Sequence, residues 1–568
     1  MRLVLIAILL SASALPIETM ATIRGMQFAV SLPSEVHRSP VTGRLLVMIS
    51  QDNDPEVRFQ AGWTNSPPLF GTDVARWMPG EVVLVGQNTP GYPVKSLADI
   101  PPGDYYVQAL LNVYTEFRRA DGHDVWVHMP QWGSQAFNVS AGNLYSAVKK
   151  VHLDPSRQYN VSLSLTEVIS PAAIPADTEW VKHVKIQSKL LTAFWGRPMF
   201  LGAVILLPKG YASHPSVKYP VIYKLGHFAV DRGAFGFNTD NPAETESERK
   251  WRERNGRESG FEFYQSWRSE HFPRAIAVTF QHPTPYYDDS YAVNSANNGP
   301  YGDAVMTELI PYIETHFRII RKTYARVLTG GSTGGWESLA LQLYHPEFFG
   351  GAWIFYPDPV DFRRYNLVNI YEDRNAFFVG ASDGFEGHSP WQTPPQRFLD
   401  RDRSGQPVDT VEQITRLEAV LGSRGRSGGI LDNWNAIYGP AGDDGYLKPL
   451  WNETGQIDHS VADYMRDHDY DLRHYAQMHW STIGPQLVGK LHFYCGDMDN
   501  FYLNLSVYLF EEFLSKSENP HYTGEFEYGR PMKEHGWQPT TNAELVKAIA
   551  RQIERAGPQG ESASWLYE

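Results

Sequence analysis

One stretch of the sequence decides the fold: Val327-Leu328-Thr329-Gly330-Gly331-Ser332-Thr333-Gly334-Gly335-Trp336. It predicts a short apolar strand, a tight turn that carries one serine, and a helix. Its centre follows the pattern G-x-S-x-G, which is typical of a nucleophile elbow. In such a turn the serine is held in a strained backbone conformation, and a side chain at either flanking glycine would collide with the adjacent strand or helix. Ser332 is therefore the candidate nucleophile.

The chain around this turn predicts a mostly parallel sheet that is covered by helices on both faces. After residue 180, apolar strands alternate with turns and helices, a pattern that indicates a doubly wound α/β architecture. We assign residues 180–360 to the first part of this domain and residues 489–568 to the second part. The apolar run at 325–329 is the strand that enters the turn, and a helix follows it.

Two further segments complete the predicted organisation. Residues 22–170 contain short alternating apolar and polar runs separated by Gly, Pro and Asp, which predicts an antiparallel β-sandwich domain. Between 361 and 488 the alternation of strands and helices breaks down into a long segment rich in aromatic residues and glycine. A segment of this length is not expected to be a plain loop, so we interpret it as a cap insertion with its own helices.

A serine nucleophile needs a base to take its proton and an acid to orient that base. In a doubly wound hydrolase these residues follow the serine in the order acid, then histidine. The apolar strand at 491–495 is followed by Asp497 and Asp499, of which we favour Asp499 as the acid and leave open whether Asp497 assists it. His535 lies in a loop before the final helix and is the candidate base.

These motifs resemble those of the serine esterase family of α/β-hydrolases that includes S-formylglutathione hydrolase, enterochelin esterase and feruloyl esterases. The resemblance covers roughly residues 185–355 and 489–556. The family's acid stands in a G-x-x-D-x-F context, which corresponds here to Gly496 to Phe501 and implies Asp499. The family's histidine often precedes a tryptophan by two residues, as His535 precedes Trp537. The segment from Asp288-Asp289-Ser290-Tyr291 to the helix before the elbow is also similar.

The predicted oxyanion loop departs from the family pattern. Where the family commonly has His-Gly after the second strand, this chain has the reverse order, Gly226-His227. An oxyanion hole needs backbone N–H groups, which do not depend strongly on the side chain. We expect Thr333, the residue after the nucleophile, to supply one donor, and either Phe228 or His227 to supply the other.

Composition and the N-terminus bear on compartment and partners. The formal net charge of −14 argues against a nucleic-acid partner, since phosphate binding requires a basic surface.

The N-terminus predicts a signal peptide at 1–14 with cleavage after Ala14, because a charged start is followed by a short apolar run and an A-x-A site. We find no transmembrane segment beyond it. Cys495 is the only cysteine, so no intrachain disulfide can form. The enzyme is expected to be periplasmic or secreted.

Neither a cofactor nor a metal ion is expected, because zinc-protease, CxxC and phosphate-loop motifs do not occur. Oxygen ligands for a cation could come from Asp497, Asp499 and Asn500, or from Asp443 and Asp444, but the EF-hand spacing is missing. Five aromatic residues of the insertion are either core residues or contacts for a substrate: Trp434, Tyr438, Tyr446, Trp451 and Trp480.

The sequence thus predicts an exported serine hydrolase that cleaves carboxylic esters through Ser332, His535 and Asp499, with an acyl-enzyme intermediate. Its substrate is expected to be a small-molecule or carbohydrate-linked ester. The alternative from a different class is a carbohydrate- or partner-binding protein that keeps the hydrolase scaffold without catalysis. An acyltransferase or a peptidase ranks lower. The N-terminal region is too short for the large propeller of prolyl-oligopeptidase-type peptidases.

Overall fold

The computed structural model of the protein describes residues 25–62, 65–130, 136–228, 233–380, 395–558 and 565. The predicted signal peptide at 1–14 lies outside the described residues. Within the described ranges, no helix combines the length and the apolar character that crossing a membrane would require.

Ten strands form the sheet of the N-terminal unit. They are β1 (Gln27–Ser31), β2 (Val41–Ser50), β3 (Leu69–Trp77), β4 (Val82–Gly86), β5 (Gly91–Tyr92), β6 (Gly103–Arg118), β7 (Asp124–His128), β8 (Leu144–Ser146), β9 (Lys149–Leu153) and β10 (Asn160–Val168). Their order is β4-β1-β10-β8-β6-β2-β3-β5, and β7 and β9 also pair with β6. Apolar side chains such as Phe28, Leu45 and Val107 alternate inward along these strands and form one buried core.

One strand pair departs from the antiparallel prediction, because β1 and β10 run parallel. They are the first and last strands of the unit and are separated by all the others. Since no hairpin joins them, no tight turn forces them to run in opposite directions. The division of this unit into the two layers of a sandwich stays a prediction.

A second sheet forms the centre of the remaining chain. Its strands and four short neighbouring ones are β11 (Val181–Ser188), β12 (Met199–Leu206), β13 (Val221–Leu225), β14 (Ile276–Gln281), β15 (Pro283–Thr284), β16 (Tyr287–Asp289), β17 (Asn294–Ser295), β18 (Gly299–Pro300), β19 (Arg326–Ser332), β20 (Gly351–Pro357), β21 (Leu491–Gly496) and β22 (Glu525–Gly529). The order of the eight-stranded sheet is β11-β12-β14-β13-β19-β20-β21-β22. From β14 to β22 all neighbours are parallel, whereas β11 and β12 form an antiparallel edge. The mostly parallel sheet of the prediction is confirmed.

The helices are α1 (Lys189–Trp195), α2 (Glu246–Arg254), α3 (Gly260–Trp267), α4 (Tyr301–Ala304), α5 (Ile310–His316), α6 (Thr333–Tyr344), α7 (Val411–Leu421), α8 (Ile430–Tyr438), α9 (His459–Asp467), α10 (Leu472–Leu487), α11 (Asn504–Ser515) and α12 (Asn542–Ala556). A π-helical stretch at Val305–Leu309 joins α4 to α5. The final helix, α12, is capped at its N-terminus by Thr541, whose side chain accepts a hydrogen bond from the Glu544 N–H at 3.3 Å.

The segment predicted as a cap contains α7 to α10 and is held from two sides. Toward the parallel sheet, α10 packs against α6 and α11. On the other side, Arg44 of β2 donates two hydrogen bonds to the Val420 carbonyl of α7, at 2.8 and 3.0 Å. A Cβ on Gly71 would lie 2.2 Å from that same carbonyl oxygen, so the glycine permits this close approach. The N-terminal unit therefore contacts this segment directly, while its status as a separate cap at 361–488 stays a prediction.

Candidate active site

Ser332 lies at the junction between the central strand β19 and helix α6. Its backbone angles are φ 57° and ψ −124°, a conformation that non-glycine residues rarely adopt and that costs about 1–3 kcal/mol. The neighbouring glycines make this turn possible. A Cβ on Gly330 would lie 2.2 Å from the Gly334 carbonyl oxygen, and a Cβ on Gly334 would lie 2.2 Å from the Leu225 carbonyl oxygen. The strand, the strained serine and the helix have the geometry of a nucleophile elbow.

Asp499 and His535 are directly hydrogen-bonded to each other. Asp499 is fully buried after β21, and its Oδ2 lies 2.8 Å from His535 Nδ1. Its other oxygen, Oδ1, accepts hydrogen bonds from the backbone N–H groups of Phe501 at 2.9 Å and Leu503 at 3.3 Å. These bonds fix the carboxylate, so we assign the proton of the neutral imidazole to Nδ1. The Nε2 atom of His535 is then left as the proton acceptor.

Asp497, the other candidate acid, has a different environment. Its Oδ1 accepts a hydrogen bond from the Lys533 N–H at 3.0 Å, which ties the end of β21 to the loop before His535. Asn500 acts on the same loop, because its Oδ1 accepts a hydrogen bond from the His535 N–H at 2.9 Å. Of the two aspartates, it is Asp499 whose carboxylate bonds the His535 ring.

The hydroxyl of Ser332 donates to a carboxylate that the sequence analysis did not identify. Asp358, the first residue after β20, accepts this bond at Oδ1 over 3.3 Å. In the described part of the chain, no hydrogen bond joins Ser332 to His535. Catalytic hydrogen bonds are often long or misaligned before a substrate binds. A rotation of the serine side chain away from Asp358 would thus have to precede proton transfer to the histidine.

Asp358 is itself almost fully buried and has several donors. Its Oδ2 accepts hydrogen bonds from the Tyr291 hydroxyl at 2.5 Å, the Thr333 hydroxyl at 3.2 Å and the Trp434 Nε1 at 3.3 Å. Burial raises the pKa of the Asp358 carboxyl above its usual value, and the hydrogen bond from Tyr291 opposes this effect. The sequence feature that could have indicated Asp358 is its position directly after the strand beside the elbow, because ligands and polar residues gather at the carboxyl ends of parallel strands.

The predicted oxyanion loop follows β13 and lies beside the elbow. The Gly226 N–H donates to Glu337 Oε2 at 2.9 Å, so this amide is already used. Thr333 is the first residue of α6, and its N–H belongs to the orphan donors of the helix N-terminus. The ring Nε2 of His227 lies 3.5 Å from Thr333 Oγ1, whereas Phe228 is buried and packs against the His282 ring.

His227 is paired with two carboxylates. Its Nδ1 lies 2.9 Å from Asp288 Oδ1 and 3.3 Å from Asp289 Oδ2. The negative charge of Asp288 raises the pKa of this imidazole well above its usual value, despite opposing desolvation. The two carboxylates therefore favour the charged form of this imidazole over the neutral form. Both aspartates lie in the stretch Asp288-Asp289-Ser290-Tyr291, whose sequence pattern alone does not indicate an ion pair with His227.

One cavity of about 420 Å³ brings these groups together. Ser332, Thr333, Asp358, His535 and His227 line it. Its apolar wall consists of residues from the insertion and from the loop after β21, namely Leu399, Ile430, Trp434, Phe501 and Leu503. A larger cavity of about 530 Å³ lies behind the oxyanion loop and is lined by neither Ser332 nor His535.

The aromatic residues of the insertion divide between the two roles considered for them. Trp434 lines the cavity and donates from its indole N–H to the Tyr291 hydroxyl at 2.8 Å. Tyr438 is fully buried against Trp336 and belongs to the core. The other three, Tyr446, Trp451 and Trp480, are buried and do not line this cavity. Asp443 and Asp444, considered as cation ligands, are exposed.

Comparison with known proteins identifies the family. The model of a family described as "Putative esterase" matches residues 199–486, which is half of the chain and includes the elbow at Ser332. The chain belongs to this esterase family. It is accordingly a carboxylic ester hydrolase. The matched range ends before Asp499 and His535.

Solved structures of low sequence identity resemble parts of this esterase. A ferulic acid esterase is 16% identical, with 66% of this chain and 98% of that chain covered and a TM-score of 0.35. An S-formylglutathione hydrolase from Agrobacterium tumefaciens is 12% identical, with 68% and 99% covered and a TM-score of 0.34. An IroE-like serine hydrolase from Shewanella oneidensis is 12% identical, with 66% and 79% covered and a TM-score of 0.28. None of the curated proteins matches the esterase.

Proposed function

We propose that this esterase cleaves carboxylic esters by nucleophilic catalysis, with Ser332 as the nucleophile, His535 as the general base and Asp499 as the residue that orients the base. The observation that carries the proposal is the 2.8 Å contact between His535 Nδ1 and Asp499 Oδ2, formed by a histidine that shares one cavity with Ser332. A base oriented in this way, next to a serine on a strained turn, is the arrangement that acyl transfer requires.

In the proposed reaction, Ser332 Oγ attacks the ester carbonyl carbon while His535 Nε2 takes its proton. The tetrahedral intermediate collapses, the alkoxide leaving group receives the proton from His535, and the acyl group stays on Ser332 as an ester. Water then attacks this acyl-enzyme with the same histidine as base, and the acid is released. Asp499 remains ionised and stabilises the imidazolium in both steps.

The negative oxygen of each intermediate would be bound by the Thr333 N–H and by one N–H from the loop after β13. Because the Gly226 N–H already donates to Glu337, we assign the second donor to the backbone of His227 or Phe228. The cationic ring of His227 would add favourable electrostatics beside this hole. A negative charge on Asp358 would repel the negative oxygen of the intermediate, and the raised pKa of the Asp358 carboxyl reduces this repulsion.

A small-molecule or carbohydrate-linked ester is the proposed substrate. The cavity of about 420 Å³ accommodates a group of modest size, and its Trp434, Ile430 and Phe501 side chains offer an apolar contact surface. We further propose that residues 361–488 act as a cap that restricts the cavity and that the N-terminal unit, as a sandwich domain, holds this cap in place. Export through the signal peptide at 1–14, with cleavage after Ala14, is proposed from the sequence pattern. N-terminal sequencing of the exported enzyme tests it.

Rapid mixing with an aryl acetate tests the catalytic proposal. Wild-type enzyme should release a burst of phenol equal to about one equivalent of enzyme, as acyl-enzyme kinetics require. Ser332→Ala should show neither the burst nor steady turnover. Ser338→Ala is the matched control, because Ser338 lies in the same helix and donates to the Gly334 carbonyl.

The same assay separates the esterase from other functions. A folded wild type without turnover on any ester would favour a non-catalytic binding protein. Transfer of the acyl group to an added alcohol in preference to water would favour an acyltransferase, and cleavage of a peptide would favour a peptidase.

A further inference from the structure

A buried cluster of two carboxylates and one imidazole lies beneath the oxyanion loop, outside the catalytic cavity. His282 follows β14, Asp289 ends β16, and Glu337 is on α6 five positions after Ser332. All three are at most 1% exposed. One possible ligand atom from each, namely a ring nitrogen of His282 and one oxygen of each carboxylate, lies within 4.8 Å of the others.

Each carboxylate uses one oxygen for a hydrogen bond to the backbone and has only a longer contact with an imidazole at the other. Asp289 Oδ1 accepts from the Tyr291 N–H at 3.0 Å, and Glu337 Oε2 accepts from the Gly226 N–H at 2.9 Å. The remaining oxygens make no well-formed hydrogen bond among the described residues: Asp289 Oδ2 lies 3.3 Å from His227 Nδ1, and Glu337 Oε1 lies 3.6 Å from His282 Nε2. Buried carboxylate oxygens are normally paired or bound to a metal ion, because desolvation without compensation is costly.

His282 is held in the orientation that a ligand needs. Its Nδ1 accepts a hydrogen bond from the Ser290 N–H at 3.3 Å and lies 2.7 Å from the Ser290 hydroxyl, and its Nε2 lies 3.6 Å from Glu337 Oε1. Because Nδ1 is an acceptor, Nε2 faces the cluster with the ring proton, which a metal ion that binds there would displace.

We propose that His282, Asp289 and Glu337 bind one divalent transition-metal ion, with Zn²⁺ as the best fit. Zinc binds imidazole and carboxylate at about 2.0–2.2 Å, which places neighbouring ligand atoms of a tetrahedral site about 3.4 Å apart. The 3.6 Å between His282 Nε2 and Glu337 Oε1 is close to this spacing. Ca²⁺ and Mg²⁺ would need about six oxygen ligands, which this donor set does not provide.

The neighbouring group His227, Asp288 and Asp289 is the weaker candidate. Its imidazole Nδ1 already pairs with Asp288 Oδ1 at 2.9 Å and Asp289 Oδ2 at 3.3 Å, and the His227 side chain is half exposed, whereas His282 and Glu337 are fully buried. In the proposed site, Glu337 would contact the ion with one oxygen and Gly226 with the other. The ion would therefore fix the oxyanion loop relative to the elbow helix, as a structural rather than a reacting group.

Zinc titration of the tag-free, chelator-dialysed full chain by calorimetry tests the proposal. Wild type should bind one equivalent of Zn²⁺, and Glu337→Gln should bind it at least about 100-fold more weakly, since loss of a direct ligand should cost at least as much as loss of an outer-sphere partner. The Gln amide oxygen can still accept from Gly226, so the loop contact survives. Asp443→Asn, which removes an exposed carboxylate, is the control and should bind like wild type.

Absence of binding by folded wild type, or equal binding by Glu337→Gln, would overturn the proposal. Should Glu337→Gln fail to fold, anomalous diffraction at the zinc edge from wild-type crystals soaked in Zn²⁺ provides the answer. A peak between His282, Asp289 and Glu337 supports the site, and a peak elsewhere or none at all overturns it. Ser332→Ala should bind Zn²⁺ like wild type, so the result is independent of the proposed esterase mechanism.

Discussion

Replacement of Asp499 by asparagine should reverse the tautomer of His535 without disturbing the fold. The new amide oxygen can keep the bonds from the Phe501 and Leu503 N–H groups, at 2.9 and 3.3 Å. The amide NH₂ would then face His535 Nδ1, which lies 2.8 Å from the present carboxylate. Because Nδ1 must accept this hydrogen bond, the proton moves to Nε2. The ring can no longer take the proton of Ser332.

The size of the effect follows from the charge that is lost. In the transition state the imidazolium and carboxylate form an ion pair, and two unit charges about 4 Å apart attract by about 4 kcal/mol at an effective dielectric constant of 20. This corresponds to about 10³-fold in rate. The wrong tautomer adds to it, and the same substitution in serine proteases lowers kcat by about 10⁴-fold. We therefore expect kcat of Asp499→Asn to fall by 10³- to 10⁴-fold, with KM changed little.

Steady-state hydrolysis of an aryl acetate measures this change, with circular dichroism and Tm as checks on folding. Asp497→Asn is the matched control, because it changes the neighbouring carboxylate while its oxygen can still accept from the Lys533 N–H. Its kcat should stay within about threefold of wild type. A folded Asp499→Asn that keeps more than a tenth of wild-type kcat, or an Asp497→Asn with the larger loss, would refute the assignment of Asp499.

Three further predictions address the elbow, the cavity wall and the loop. Gly330→Ala would place a Cβ 2.2 Å from the Gly334 carbonyl oxygen, so we expect insoluble or strongly destabilised protein, whereas Gly62→Ala, which meets no atom within 4 Å, should have a wild-type Tm. Trp434→Phe removes a hydrogen-bond donor to the buried Tyr291 hydroxyl, and the net loss of about 1–1.5 kcal/mol should lower kcat/KM about tenfold. Trp451→Phe is its control, because it loses only a hydrogen bond to Thr415 away from the cavity. Equal activity of the two variants would exclude a role for Trp434 in the site. The raised pKa of His227 means that its ion pair with Asp288 stabilises the fold fully below about pH 6.5 and less as pH rises through the raised folded-state pKa. The difference in free energy of unfolding between wild type and His227→Asn, from urea titrations, should then be largest near pH 6 and shrink toward pH 10, and a difference that grows with pH would contradict the charge assigned to this ring.

Local patterns predicted the mostly parallel sheet and the strand, turn and helix around Ser332, because each depends on residues that are neighbours in sequence. The strand expected at 325–329 is β19, which continues to Ser332, and the helix expected after it is α6. Glycine spacing and apolar runs carry this information, since the turn and the buried strands tolerate few other residues.

Contacts between distant segments could not be predicted in this way. Asp358 reaches Ser332 only because β20 lies beside β19 in the sheet, and Trp434 reaches the cavity only because the insertion folds back over the elbow. The parallel pairing of β1 with β10 likewise joins the two ends of one unit. The cluster of His282, Asp289 and Glu337 comes from three separate elements and has no linear motif, which explains why the sequence indicated no metal ligands there.

The central claim is that Ser332 is the nucleophile, and covalent labelling tests it most directly. A fluorophosphonate reacts with an activated serine, so wild-type enzyme should gain the mass of one adduct, and peptide mapping should locate it on Ser332. Ser332→Ala should remain folded and unlabelled. An adduct on another residue, labelling of Ser332→Ala at the wild-type rate, or a folded wild type that does not react would contradict the account.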